Sequence, residues 1–192
     1  MSLMSTVLLW ASLAAPAHAG MADDLALATR SELPEAARME AFERLVRDGT
    51  NDLGLLRSVA LDPEGDARQR WVCVRALGKV GGDGARQILV TLLDDEMPAM
   101  RAAATQAAGD LGDRALVPQI NQKLKDPAVI VRAAAAEALG QLGDPASVEP
   151  LASALAARDN FYRGSSLWVR RHYVDALGQI GSRRAIPAPM RG

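Results

Sequence analysis

Glycines paired three residues apart recur along this chain, at Gly78/Gly81, Gly109/Gly112, Gly140/Gly143 and Gly178/Gly181. Successive pairs lie 31, 31 and 38 residues apart. An arginine stands eight residues before each first glycine: Arg70, Arg101, Arg132 and Arg170. An alanine stands two before it (Ala76, Ala107, Ala138, Ala176), and an aliphatic two after it (Val80, Leu111, Leu142, Ile180). Self-similarity at a period of this length is the mark of a stacked array, in which one supersecondary unit buries its apolar face only against its neighbours.

Each unit reads as two antiparallel helices. The segment "VIVRAAAAEALGQLG" at 129–143 has an amphipathic helical pattern ended by a glycine suited to the left-handed C-terminal conformation. A second helix follows after a short turn in "DPASVEPLASAL" at 144–155, with Asp144 placed as N-cap and Pro145 in the first turn. Its counterpart is "DRALVPQINQKL" at 113–124, and Pro118 and Pro150 share a register early in their helices, where a missing N–H costs little. Alanine runs such as 133–136 allow helices to approach closely. Half of the residues are apolar but only 4% are aromatic, a balance that favours packed helices over strands.

The pattern Asp-Pro…Val-Arg…Ala-Ala-x-Ala-Leu-Gly-x-Leu-Gly-Asp resembles HEAT repeats, in particular the short type of the phycobilisome-lyase HEAT-like family. The resemblance covers residues about 35–186 and implies an all-α fold, a right-handed α-solenoid (α-α superhelix) of about four to four and a half helix pairs. The repeats are expected at about 22–50, 51–82, 83–112, 113–143 and 144–181, with a partial unit at 182–192. The family's ladder of hydrogen-bonded Asp and Arg would use Arg101, Arg132 and Arg170 with Asp113 and Asp144. Gly82 and Ser182 stand where the first and last units should carry Asp. At the N-terminal end, 34–48 reads as the second helix of a degenerate repeat opened by Pro34, with a short helix near 23–31 before it.

Residues 1–19 contain no charged side chain, an apolar core from about Val7 to Ala15, and the small residues Ala17 and Ala19 flanking His18. This is the pattern of a secretory signal peptide cleaved after Ala19, although no basic residue precedes the core. The core is too short for a membrane span and Pro16 interrupts it. A periplasmic or secreted location is therefore expected, with no stable membrane insertion after cleavage.

Side chains able to do chemistry are sparse. Cys73 is the single cysteine, which excludes an internal disulfide framework, and it lies at a repeat position filled elsewhere by Ala104, Ala135 and Tyr173, so a buried, inert thiol is expected. Beyond residue 19 only His172 remains among the histidines, at the position of Val72, Ala103 and Ala134. A structural or surface role is expected for it, and no His-rich metal site can be built. The acidic run at 94–96 reads as a solvated turn, because Met97 and Pro98 follow in place of calcium-ligand spacing. No catalytic residue, metal or cofactor is implied, and the sequence reads as a non-enzyme.

The last interval is seven residues too long, and the excess lies within about 157–166, between the two helices of the last full repeat. Turn insertions in such arrays project from one edge, where binding is common. Arg158, Phe161, Tyr162, Arg163, Trp168 and Arg171 are candidate partner-binding residues, since large aromatics beside arginine make interface anchors. They equally suit a lid over the unfinished C-terminal unit, with Trp168 and Tyr173 filling space that alanines leave elsewhere and Ser165 or Ser166 capping the helix. From Arg158 onward the balance of charge is +5, against −6 for residues 20–157, which points to an acidic partner (an acidic protein face, a polysaccharide or a lipid headgroup) and away from nucleic acid in that compartment. The expected function is an exported scaffold mediating protein–protein interaction. The alternative is an accessory lyase-like or isomerase-like protein acting on a chromophore or modified protein.

Overall fold

The computed structural model describes residues 20–163 and 165–181, with the side chains of Tyr162, Ser165 and Ser166 left aside. The expected signal peptide, the partial repeat at 182–192 and Gly164 lie outside the described residues. Ten α-helices follow one another among the described residues: α1 (Met21–Ala28), α2 (Glu35–Gly49), α3 (Gly54–Leu61), α4 (Ala67–Val80), α5 (Gly82–Leu92), α6 (Pro98–Leu111), α7 (Val117–Lys123), α8 (Val129–Leu142), α9 (Val148–Ala156) and α10 (Val169–Ile180). From α3 onward they alternate between a short first helix and a longer second helix. The second helices α4, α6, α8 and α10 pack successively on one another, giving an all-α solenoid. One two-stranded ribbon interrupts the pattern, β1 (Phe161–Tyr162) paired antiparallel with β2 (Ser165–Ser166).

The glycine pairs divide the work between them. The second member ends the helix: Gly112, Gly143 and Gly181 have φ of 73°, 62° and 74°, the left-handed conformation in which a Cβ is costly. The first member makes room for the next repeat. A Cβ on Gly78 would stand 2.8 Å from Cα of Ala107, one on Gly109 2.8 Å from Cα of Ala138, and one on Gly140 3.1 Å from Cα of Ala176. The repeated alanine is therefore the partner of the repeated glycine one unit earlier. Each second helix rests its alanine on the glycine before it, and this close approach sets the thickness of the stack.

The core between the helix layers is aliphatic, running from Leu45, Leu56 and Leu77 through Leu89 and Ile120 to Leu139 and Leu151, all fully buried. Cys73, Ala104, Ala135 and Tyr173 share one register and are all inaccessible to solvent. Burial alone pushes the Cys73 thiol up to about 12. Tyr173 fills the space that alanine leaves in the inner repeats, as a lid would require. Trp168 does not, for it is 54% exposed.

The arginine ladder forms with other partners than those expected. Asp113 accepts a hydrogen bond from Ala115 N–H and Asp144 one from Ala146 N–H, each capping the 3-10 turn that opens its repeat. The arginines instead reach the turn inside the next repeat. Arg70 donates to Asp95, Arg101 donates to both oxygens of Asp126 at 2.8 and 3.0 Å, and Arg132 donates to Asn160 Oδ1 at 3.0 Å. Arg101 also clamps the Asp95 and Glu96 carbonyls of its own turn, and Arg132 does the same to Asp126 and Pro127. The turns at 94–97 and 125–128 are thus held from both sides. The run at 94–96 is consequently no merely solvated turn, since Asp95 is mostly buried against Arg70.

Candidate functional site

Three positions of each second helix, four residues apart, point away from the first helices and form a grid. Its four rows are Trp71, Arg75 and Lys79; Ala102, Gln106 and Asp110; Ala133, Glu137 and Gln141; and Arg171, Asp175 and Gln179. Between Trp71, 42% exposed, and the Trp168–Arg171 corner, the same register holds half-buried Ala102 and buried Ala133. Polar clefts open along the grid. One is lined by Arg75, Gln106, Asp110, Glu137 and Gln141, and the other by Glu137, Arg171, His172, Asp175 and Gln179.

At the N-terminal end, Arg75 lies over the Trp71 ring at 5.3 Å and 3.9 Å from Asp110, which also receives Lys79 at 3.1 Å. The Nε–H of Arg75 is buried and meets no acceptor among the described residues. At the C-terminal end, Glu137 crosses from α8 to His172 of α10 at 2.8 Å, and Trp168 stands edge-on to the imidazole at 5.1 Å. With Nδ1–H directed at the carboxylate, the lone pair of a neutral His172 is on Nε2. Arg171 and Asp175 form an exposed pair at 3.7 Å beside them. His172 thus sits on the surface, as expected, but in a carboxylate–imidazole pair that its sequence neighbours do not announce.

The six candidate partner-binding residues divide into two groups. Trp168 and Arg171 belong to the grid. Arg158, Phe161, Tyr162 and Arg163 belong to the insertion, where Tyr162 enters through its backbone pairing with Ser165. Arg163 takes φ of 48° at the tip of the ribbon. The base of the insertion is built into the core: Asn160 is 1% exposed, accepts from Arg132, and donates Nδ2–H to the Ala154 carbonyl at 2.7 Å. Leu167 N–H closes the base on the Asn160 carbonyl at 2.9 Å. Phe161 lies under the Arg170 guanidinium at 4.3 Å. Ser165 and Ser166 are in β2, so neither opens α10; Trp168 stands at its N-terminus without a side-chain cap.

Among the described residues, no cluster of three or more His, Cys, Asp or Glu is placed to hold a metal ion, and no helix is long and apolar enough to cross a membrane.

A family model for HEAT repeats matches residues 87–168, the segment from α5 to the start of α10. That segment is built of HEAT repeats. Among solved structures, the solenoid is similar to human deoxyhypusine hydroxylase in complex with glycerol, with a TM-score of 0.57 at 23% identity. That match covers 83% of this chain and 62% of the hydroxylase, so the solenoid spans less than two thirds of the enzyme's length. The complex of CpcE and CpcF of phycocyanin lyase from Nostoc sp. PCC7120 also matches, at 22% identity and a TM-score of 0.41, over 88% of this chain and 80% of that one. No curated protein sequence matches the chain. The expectation of a non-enzyme is corrected here, because the fold it was read from also occurs in an enzyme, human deoxyhypusine hydroxylase. A HEAT architecture is no mark of an inert scaffold.

Proposed function

We propose that this HEAT solenoid takes part in the covalent modification of a protein, holding an extended segment of that protein along its second-helix face. The reading follows the accessory lyase-like or isomerase-like alternative and keeps from the scaffold reading its protein partner. The observation that carries it is the grid itself: a strip spanning four helices, with an exposed tryptophan at each end and polar clefts lined by Gln106, Glu137 and Gln141 between them. An extended segment supplies backbone groups for those amides and side chains for the tryptophan corners. The Glu137–His172 pair adds a group able to accept a proton at Nε2 and return it, the chemistry an isomerase or lyase step uses. The neighbours' names accord with this, one being a hydroxylase and the other a lyase.

Photo-crosslinking side chains placed at Gln106 and Gln141, with one at exposed Asp83 on α5 as control, test the reading. It predicts that the two grid positions capture the same protein and the control does not. Equal capture from all three, or none from any, removes it. Replacing His172 by Gln should then leave capture intact and reduce turnover of the captured protein.

Export belongs to the same proposal. The uncharged apolar leader and the Ala17–Ala19 site support it, and the purified protein is expected to begin at Gly20. An intact Met1 on protein recovered from the cell envelope would contradict it.

A further inference from the structure

The three inner second helices each bury one residue at the register of Val74, Thr105 and Ala136, all 0% or fully buried against the next helix. The same register in α10 is Val174, which is 54% exposed. Four residues on, Gly78, Gly109 and Gly140 each receive the alanine of the following helix, whereas a Cβ on Gly178 would meet nothing within 4 Å among the described residues. The last described helix thus carries the two stacking features of the fold on one face, a knob and a hole one turn apart, both uncovered by the described residues.

We propose that this face pairs with itself, α10 against α10 of a second copy, antiparallel about a two-fold axis. The spacing selects this occupant. In an antiparallel pair centred between residues 174 and 178, each Val174 falls opposite the other copy's Gly178, so one contact implies the other, as an isologous interface requires. Charge agrees with the direction. Arg171 lies on the same face, one turn before Val174, with its side chain 86% exposed. Antiparallel pairing sets it beside the other helix's C-terminus, where a cation is favoured by the unsatisfied carbonyls and the helix dipole. A parallel arrangement would set Arg171 against Arg171. Dimerisation shares Arg171 with the C-terminal corner of the grid but leaves the rows on α4, α6 and α8 open, so its test reads the oligomeric state and not capture of a protein at Gln106 and Gln141.

Sedimentation equilibrium of the full chain over a wide concentration range tests the pairing. The mass is expected to rise toward twice that of the monomer. Gly178→Val alone, setting valine against valine, and Val174→Gly alone, leaving a hole against a hole, should each shift the dimerisation constant at least tenfold toward monomer. The double variant, Val174→Gly with Gly178→Val, exchanges knob and hole and should restore it. Circular dichroism on each variant confirms that the helices persist. A full chain that stays monomeric throughout overturns the proposal, as does a dimer indifferent to both single changes. A chain cut after Gly181 that dimerises where the full chain does not would also overturn it, assigning the face to residues 182–192.

Discussion

Asp126 shows how one carboxylate fastens two repeats. Burial disfavours its charge, but hydrogen bonds from Arg101 and from Ala128 N–H outweigh that and hold it below the usual carboxylate range. Because the folded value lies below the unfolded one, the stabilisation is complete above about pH 4 and is lost as pH falls through the folded value. Thermal melts should show Asp126→Asn losing less stability than the wild type between pH 5 and pH 2. Arg101→Met strands that carboxylate against 6% exposure and should cost about 3 kcal/mol at neutral pH, read from denaturant midpoints. Cys73 is the opposite case, a group with no partner for its ionised form. Its thiol, pushed up to about 12, should resist thiol-specific reagents in the native state and react only at the rate of unfolding. Fast labelling at pH 8 without loss of helicity would place it outside the core.

At the scale of elements, the helix pairs were legible because every unit carries the same glycine, alanine and arginine at fixed spacing. The ladder was less so. Aspartates follow the closing glycines at 113 and 144, and they look like ladder members, yet a carboxylate two residues before a free N–H at a helix start satisfies that N–H first. The true partners Asp95 and Asp126 each lie 25 residues beyond their arginine, a regularity present in the sequence. The insertion hid the third, since Asn160 lies 28 residues beyond Arg132 and is not an acid. The stacking glycines make the sharpest element-scale test. Gly109→Ala forces a methyl against main-chain atoms of α8 and should cost about 1–3 kcal/mol, whereas Gly178→Ala meets nothing within 4 Å among the described residues of its own chain and, at concentrations where the chain is monomeric, should gain up to about 1 kcal/mol from helix propensity. Equal effects in chemical denaturation would contradict the stacking role.

For the whole molecule, the grid of the second-helix face was the hardest part to read from sequence. Its members are ordinary polar residues, and their meaning depends on four helices lying side by side. The aromatic insertion stands out in the sequence, although its base is a piece of the ladder and only Trp168 and Arg171 among the candidates lie beside the grid. Of the +5 balance of the C-terminal segment, Arg183, Arg184 and Arg191 lie outside the described residues, and the remainder is shared between Arg170, the insertion and the grid. Hydroxyl-radical footprinting of the chain with its captured protein tests the central claim most directly, because Trp71, Trp168 and Phe161 are exposed probes of different regions. The account predicts that Trp71 and Trp168 are both protected while Phe161 stays as reactive as in the free chain. Protection of Phe161 with both tryptophans unchanged would contradict it and move the binding surface to the insertion.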